Sequence, residues 1–392
     1  MSLTLPIYLD YNATTPVDER ALEAMLPYFS RKFGNAASDH LFGHEVQAAI
    51  YKARHQIASL IGAKADNIVF TSGATESDNI ALFGIAEKYA TKGDHIITCV
   101  TEHKAILDSA RHLEQLGKSV TYLPVDQYGR VDPEAVRNAI TPRTVLISIM
   151  AANNEIGTIP NLKAIGAIAR EHGVLFHTDG AQYVGHLPLN VDEYNIDLLS
   201  ISAHKIYGPK GIGALYIRPD VEICPVIYGG GHERGVRSGT LNVPSIVGFG
   251  KAAQICAEHL ETEVPRLRKL TQRLWEGISK SVEDVELNGH PTERLPHNLN
   301  ISINGINSRE LIVQLGDIAI SAGSACNASV AKASHVISAL GFGEERGLTS
   351  LRFGLGRYTT EEEIDYVIEK IIRLASNKAQ VLSGGSFIRA KG

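Results

Sequence analysis

Leu198-Leu199-Ser200-Ile201 runs directly into Ser202-Ala203-His204-Lys205, and Gly208-Pro209-Lys210-Gly211 then leads into Gly213-Ala214-Leu215-Tyr216-Ile217. Two short apolar runs bounded by glycine, proline and polar residues read as strands. The link between them is too short for the crossover that parallel neighbours require, so the pair is expected to be antiparallel. A lysine stands just past the first run. Another run, Val174-Leu175-Phe176-His177, leads to Thr178-Asp179. A lysine amine can form a Schiff base and a carboxylate can keep a pyridinium nitrogen protonated, so a lysine and an aspartate at two strand ends point to a pyridoxal phosphate (PLP) site. The plain alternative is that Lys205 is a solvated surface charge, as most lysines are.

Outward from this stretch, apolar runs at 67–70, 95–100, 120–124, 144–151, 174–177, 198–201 and 213–217 alternate with helical spacing at 79–89, 103–116 and 160–172. Short runs separated by helices predict an α/β fold with a mostly parallel seven-stranded sheet covered on both faces. The pattern changes near Pro244. Residues 247–282 read as one long helix, bent at Pro265, that leads to a smaller α+β domain with strands at 298–303, 318–321 and 350–353. Helices are expected there at 308–315, 333–340 and 361–375. The expected division is a large PLP-binding domain over 15–258 and a small domain formed by 1–14 and 259–380. The Gly/Ser-rich stretch 381–392 is expected to be a disordered tail.

Composition narrows the class. The chain has 392 residues, with 44% hydrophobic and 21% charged content, and a formal net charge of −5. Such a mildly acidic balance argues against direct nucleic-acid binding. No apolar run reaches the ~20 residues that cross a bilayer, and the first dozen residues lack the basic start and apolar centre of a signal peptide. The four cysteines (Cys99, Cys224, Cys256 and Cys326) form no CxxC pair and no metal-like cluster, which suits a reducing cytoplasm. Cys326 sits in Gly323-Ser324-Ala325-Cys326-Asn327, among small polar residues, and reads as a reactive thiol. Cys99 and Cys256 fall in a strand and a helix and read as packing residues.

Further candidates lie beyond the other strand ends. Thr71-Ser72-Gly73-Ala74-Thr75-Glu76 joins a strand to a helix, where free N–H groups and the helix dipole suit a phosphate. An ordinary capping box is the alternative. His103 opens a helix and could stack on a cofactor ring or move protons, or be a plain capping histidine. Asn154 could bond a cofactor or a carboxylate, or belong to a turn. If the strands are parallel, Thr75, His103, Asn154, Asp179, Ser202, His204 and Lys205 all fall at carboxyl ends, where open α/β sheets bind ligands. Arg352 and Arg357 are candidates for forked binding of a substrate carboxylate, with Arg352, inside a strand, the better placed. The glycine-rich Gly229–Thr240 stretch offers Arg237 and Thr240 to a phosphate, or is a surface loop.

With these residues in place, the chain resembles the cysteine desulfurases of the nitrogen-fixation and iron–sulfur-cluster type, within the class V aminotransferases and the fold-type-I PLP enzymes. The resemblance runs from Tyr8-Leu9-Asp10-Tyr11-Asn12 to Glu363-Ile364-Asp365. The resemblance implies an L-cysteine desulfurase that makes L-alanine and a persulfide on Cys326. It implies that Lys205 carries PLP as a Schiff base, that His103 stacks on the ring, that Asp179 meets the pyridinium nitrogen, and that Gln182 bonds the ring hydroxyl. Ala74, Thr75, Ser202 and His204 would hold the phosphate, with Thr240 reaching in from the partner of a homodimer. Asn154 and Arg352 would hold the substrate carboxylate, with Asn12 near them. A protein sulfur acceptor would serve iron–sulfur assembly, tRNA thiolation or DNA phosphorothioation. One segment departs from the family pattern: where a Leu-Glu-Pro-Ser-His/Tyr stretch is usual, this chain reads Val330-Ala331-Lys332-Ala333-Ser334-His335. Loss of that proline changes the stiffness of the chain after Cys326 and leaves the acceptor open. Two other readings stand beside this one: a PLP aminotransferase or lyase with an incidental Cys326, and an idle scaffold.

Overall fold

The computed structural model describes residues 3–322 and 334–384. Cys326, the segment around it and the end of the expected tail lie outside the described residues. The chain starts with β1 (Ile7–Tyr8), α1 (Glu19–Met25), α2 (Pro27–Ser30) and α3 (Leu41–Leu60). The central alternation is β2 (Ile68–Thr71), α4 (Ala74–Lys88), β3 (His95–Cys99), α5 (Lys104–Gln115), β4 (Ser119–Leu123), α6 (Pro133–Ala139), β5 (Thr144–Ser148), α7 (Leu162–His172), β6 (Leu175–Asp179), β7 (Leu198–Ser202) and β8 (Gly213–Ile217). After the long α8 (Val243–Ser279) come β9 (Val285–Leu287), β10 (Asn298–Ile303), α9 (Ser308–Leu315), β11 (Ile318–Ala319), β12 (Ser321–Ala322), α10 (His335–Ala339), α11 (Glu344–Leu348), β13 (Ser350–Gly354) and α12 (Glu361–Gly384).

The fold is α/β, built on a seven-stranded sheet of order β2-β8-β7-β6-β5-β3-β4. Strand β8 runs antiparallel to both β7 and β2, as the short link predicts for β7 and β8, and every other pairing is parallel. Two reversals in succession restore the direction of β2, so its carboxyl end lies at the same edge as those of β3, β5, β6 and β7.

Both faces of this sheet are covered, and adjacent strand residues go to opposite cores. Phe70, Ile97, Ile147 and Leu199 pack with Val46, Ile50 and Ile57 of α3, Ile165 of α7 and Phe249 of α8. Their neighbours Val69, Ile96, Leu146 and Leu198 pack with Ile80 and Ile85 of α4 and Ile106 and Leu113 of α5. The two-residue pleat period distributes an unbroken apolar run between two helical layers.

A second, antiparallel sheet has the order β12-β13-β10-β9. Its core takes Leu299, Ile301, Leu351 and Phe353 from the strands, Leu267, Leu270 and Leu274 from α8, and Ile364, Val367 and Ile371 from α12. Helix α8 therefore serves both cores, its first half on the large sheet and its second half on the small one. The N-terminal segment comes back to this region. β1 pairs in parallel with β11, and Tyr11 N donates to the Gly354 carbonyl at 3.1 Å. A Cβ on Gly354 would lie 2.6 Å from Asn12 N, so glycine is what lets the N-terminal segment come this close. Helix α12 runs past the expected end near Ala375 to Gly384, because no proline or glycine interrupts the chain between Glu361 and Ser383.

Candidate active site

The carboxyl ends of β2, β3, β5, β6 and β7 open onto a cavity of about 590 Å³. Ala74, Thr75, His103, Asn154, Asp179, Gln182, Ser202, His204, Lys205, Arg352 and Asn12 all line it. Of the expected site residues, Thr240 does not: it is exposed on its loop. Cys326 lies outside the described residues.

Gly213 brings two of the loops together. Thr71 pairs with Gly213 from one side and Ser202 pairs with it from the other, so the turns that follow β2 and β7 meet across a single glycine. A Cβ on Gly213 would sit 2.6 Å from Gly73 Cα. Helix α4 then begins on Gly73, a cap with no side chain to offer, which leaves its first-turn N–H groups for another acceptor. The capping reading is half realised. Glu76 accepts from Ser72 N at 2.6 Å, yet it also accepts from Arg237 Nε at 2.7 Å. Burial opposes the charge on Glu76, but the Arg237 and Ser72 bonds outweigh it and lower its pKa. Arg237 is thereby committed to a carboxylate and does not line the cavity.

Lys205 closes the short 3₁₀ turn Ala203–Lys205 after β7. Its Nζ donates to the carbonyl oxygens of Asn12 at 2.5 Å and Ala13 at 2.8 Å. Asn12 is fixed in turn: its Nδ2 donates to Gln182 Oε1 at 3.1 Å, and Gln182 Nε2 donates back to the Asn12 carbonyl at 2.9 Å. Beside Lys205, His204 is driven down to about 4 by burial and by the charges of Lys205 and Lys210. It is neutral at ordinary pH, with Nδ1 3.1 Å from Thr14 Oγ1.

His103 is both a cap and a cavity residue. Its Nδ1 accepts from Ala105 N at 3.2 Å, which caps α5 and leaves the proton of the neutral ring on Nε2. Asp179 ends β6 and accepts from Ala181 N at 2.9 Å. Burial raises its pKa, against the lowering effect of that bond and of the His103 and Lys205 charges. Arg352, on β13, reaches across from the second sheet. It donates to the Asn154 carbonyl at 3.1 Å and to Asp10 Oδ1 at 2.9 Å. Arg357 instead pairs with Asp18 and Glu263 and does not line the cavity.

Several site residues go unread in the sequence. Asp78 lines the cavity one helical turn beyond Ala74 and on the same face, a spacing that could have flagged it; neither carboxylate oxygen has a hydrogen-bond partner among the described residues, and His177 Nε2 lies 3.7 Å from Oδ1. Glu155 also lines it. Burial, opposed by a bond from Ser334 Oγ and by the Arg352 and Lys104 charges, raises Glu155 to about 7. Glu102, next to His103 in the chain, is wholly buried and accepts from Met150 N at 2.7 Å. Desolvation pushes it up to about 8. No local pattern announces the burial of these last two.

The family model for aminotransferase class V matches residues 7–367. The cysteine desulfurase IscS of Rickettsia massiliae is 52% identical over 372 residues, covering 94% of this chain and 91% of that one. The chain belongs to the cysteine desulfurases of the aminotransferase class V family. IscS of Rickettsia bellii is 53% identical over 385 residues, covering 97% of this chain and 94% of its own. Among solved structures, a NifS-like protein superposes with a TM-score of 0.89 at 37% identity, covering 95% of this chain and 99% of its own. SspA in complex with cysteine gives a TM-score of 0.80 at 39% identity, over 90% of this chain and all of that one (100%). DndA from Streptomyces lividans gives 0.75 at 37%, over 88% and 99%. In this chain one strand-end cavity holds a lysine, a buried aspartate and a buried arginine together. Class V aminotransferases are in general PLP enzymes.

Proposed function

We propose that this cysteine desulfurase binds PLP in the strand-end cavity and moves the sulfur of L-cysteine to Cys326, leaving L-alanine. The observation that carries the proposal is the uncapped N-terminus of α4, Lys205 and Asp179 on the wall of one cavity, with Arg352 reaching the same space from the other sheet. These residues fit the cofactor. The free N–H groups at Ala74 and Thr75, with Ser202 and His204, suit a dianionic phosphate. Asp179, buried at the end of β6, suits a pyridinium N–H. Gln182 suits the ring hydroxyl, and His103 suits a ring face.

Bound PLP would supply an electron sink for the substrate's carbon framework. The protein's own residues do the rest. Arg352 and Asn154 orient the cysteine carboxylate, with Asn12 shaping the same wall. Lys205 would hold the cofactor and, as a free amine, would move protons at the substrate carbon. Asp179 would keep a proton at the ring nitrogen, and His103 would exchange protons through Nε2. The Cys326 thiolate forms the S–S bond as the substrate C–S bond breaks, and the carbon left behind takes a proton to become the methyl group of alanine.

The same reading makes the active form a homodimer. Thr240 is exposed and away from its own cavity, and its loop borders a groove shared with α3. Leu41, Phe42 and Tyr51 of α3 and Tyr228 of the loop are exposed large apolar side chains, a surface a second copy would cover. The persulfide would pass to a protein acceptor of iron–sulfur assembly, tRNA thiolation or DNA phosphorothioation in the cytoplasm. Among the described residues no helix is long and apolar enough to cross a membrane.

Incubation with L-cysteine followed by mass spectrometry should place the persulfide on Cys326 with release of alanine. A persulfide only on another cysteine, or a requirement for a keto acid, would overturn the assignment. Lys205→Ala should abolish the visible absorbance of lysine-linked cofactor. Sedimentation should show a dimer, and capture of persulfide-bearing protein with its partners identifies the acceptor.

A further inference from the structure

Two imidazoles lie stacked behind Lys205. The rings of His186 and His297 are 4.1 Å apart at an interplanar angle of 30°. His186 belongs to the loop after β6, and His297 leads into β10 of the second sheet. His186 Nε2 lies 3.0 Å from the backbone carbonyl of Lys205, which can only accept, so Nε2 carries the proton. His297 Nε2 lies 3.2 Å from Asn12 Nδ2. The Asn12 amide is oriented by Asn298 Nδ2, which donates to its Oδ1 at 3.2 Å, so Asn12 donates and His297 Nε2 accepts. The proton of neutral His297 is then on Nδ1, which is buried and has no partner among the described residues. The two rings are opposite tautomers, and each touches one of the two segments that meet at the lysine.

Both rings are neutral. Burial is the main cause of the lowered pKa of each, and the Lys205 charge adds to it; His186 falls to about 4, and His297, lowered by its neighbour His186 as well, falls well below its ordinary value. Arg357 also lowers His186, while the Lys205 carbonyl and Glu263 act the other way.

We infer that the His186–His297 stack is a positioning pair for the desulfurase reaction. His186 fixes the backbone of Lys205 and His297 fixes Asn12, whose carbonyl receives the lysine amine, so the stack sets where that amine stands. The inference rests on the proposal that Lys205 carries the cofactor. The pair joins the loop after β6 to the entry of β10, so it also ties the lysine to the sheet that carries Arg352.

His186→Phe and His297→Phe keep a stacked ring and remove one polar contact each. In the holoenzyme, each is expected to move the midpoint of the pH titration of the visible cofactor absorbance by about one unit, the effect of roughly one altered hydrogen bond to a charged group. kcat should fall about tenfold with little change in KM for L-cysteine. A wild-type midpoint in both variants, with only the melting temperature lowered, would show that the rings merely fill space and would overturn the inference. Should a phenylalanine variant yield no holoenzyme, His186→Asn decides by the same titration: a shifted midpoint supports the pair and a wild-type midpoint overturns it. Lys205→Ala separates the two claims. If that variant keeps the wild-type absorbance, the cofactor assignment falls; if it loses it and the histidine variants titrate as wild type, only the positioning pair falls.

Discussion

Arg352 Nη2 lies 2.9 Å from Asp10 Oδ1, tying strand β13 to the N-terminal segment at the edge of the cavity. Nη1 is held by the Asn154 carbonyl, while Nε is buried without a hydrogen-bond partner among the described residues. The guanidinium is thus locked in orientation with donor capacity left over, the state expected of a group that waits for a carboxylate.

Arg352→Lys keeps the charge and loses the fork. It should raise KM for L-cysteine by about tenfold or more, while the bound cofactor keeps its absorbance. Steady-state kinetics beside an absorbance spectrum make the comparison. An unchanged KM would remove Arg352 from substrate binding.

Arg54 and Glu233 form a bidentate pair at 2.7 Å and 2.7 Å, and the same carboxylate accepts from Phe70 N. The Glu233 side chain is 2% exposed. Glu233→Ala strands a guanidinium and the Phe70 N–H of the edge strand β2. The expected loss is about 3–5 kcal/mol, read as a shift of the urea midpoint. A loss below about 1 kcal/mol would mean that water replaces the carboxylate.

Gly213→Ala puts a methyl group 2.6 Å from Gly73 Cα and 2.5 Å from the Ile201 carbonyl oxygen. Both are backbone atoms and cannot swing aside. The turns after β2 and β7 must separate, at a cost of about 1–3 kcal/mol. Cofactor dissociation, followed by dialysis against buffer, should be faster than in the wild type. Equal retention would show that the phosphate cup does not depend on this approach.

From two buried groups together, stability should be level between pH 4.5 and 6.5 and fall on either side of that range. Buried His177 is held at about 3 by desolvation, against an ordinary value of 6.5. The unfolded chain binds its proton first, so this contribution is complete above 6.5 and is lost as pH falls toward 3. Glu102 is held at about 8, against an ordinary 4.5. Here the folded state keeps the proton, so its contribution is complete below 4.5 and is lost as pH rises toward 8. Urea unfolding across this range should show the alkaline loss flattened in Glu102→Gln. The same alkaline slope in that variant would place the titrating group elsewhere.

Some of the site is legible because its signals are local. A strand announces itself by a short apolar run and a helix N-terminus by small and polar residues, so Thr75, His103, Asp179 and Lys205 can each be placed at a strand end from a few neighbours. Helix α3 carries such a signal too, in the spacing of Val46, Ile50, Ala53 and Ile57, although the reading of apolar runs assigns nothing to residues 41–60. Asp78 stands one turn past a recognised motif. Glu102 and Glu155 carry no such mark, since burial is not written beside the buried residue.

From the residues alone come the α/β alternation, the reversed strand β8, and the placing of a lysine, an aspartate and a helix N-terminus at strand ends. These depend on contacts between near neighbours and on a repeat of two or of 3.6 residues. Only the tertiary structure decides that Asn12 receives the Lys205 amine, that Arg352 arrives from a second sheet, and that His186 and His297 stack behind the lysine. These contacts join positions far apart in the chain. They follow from where α8 carries the second sheet and where the N-terminal segment crosses Gly354, and neither is encoded within reach of the residues that meet.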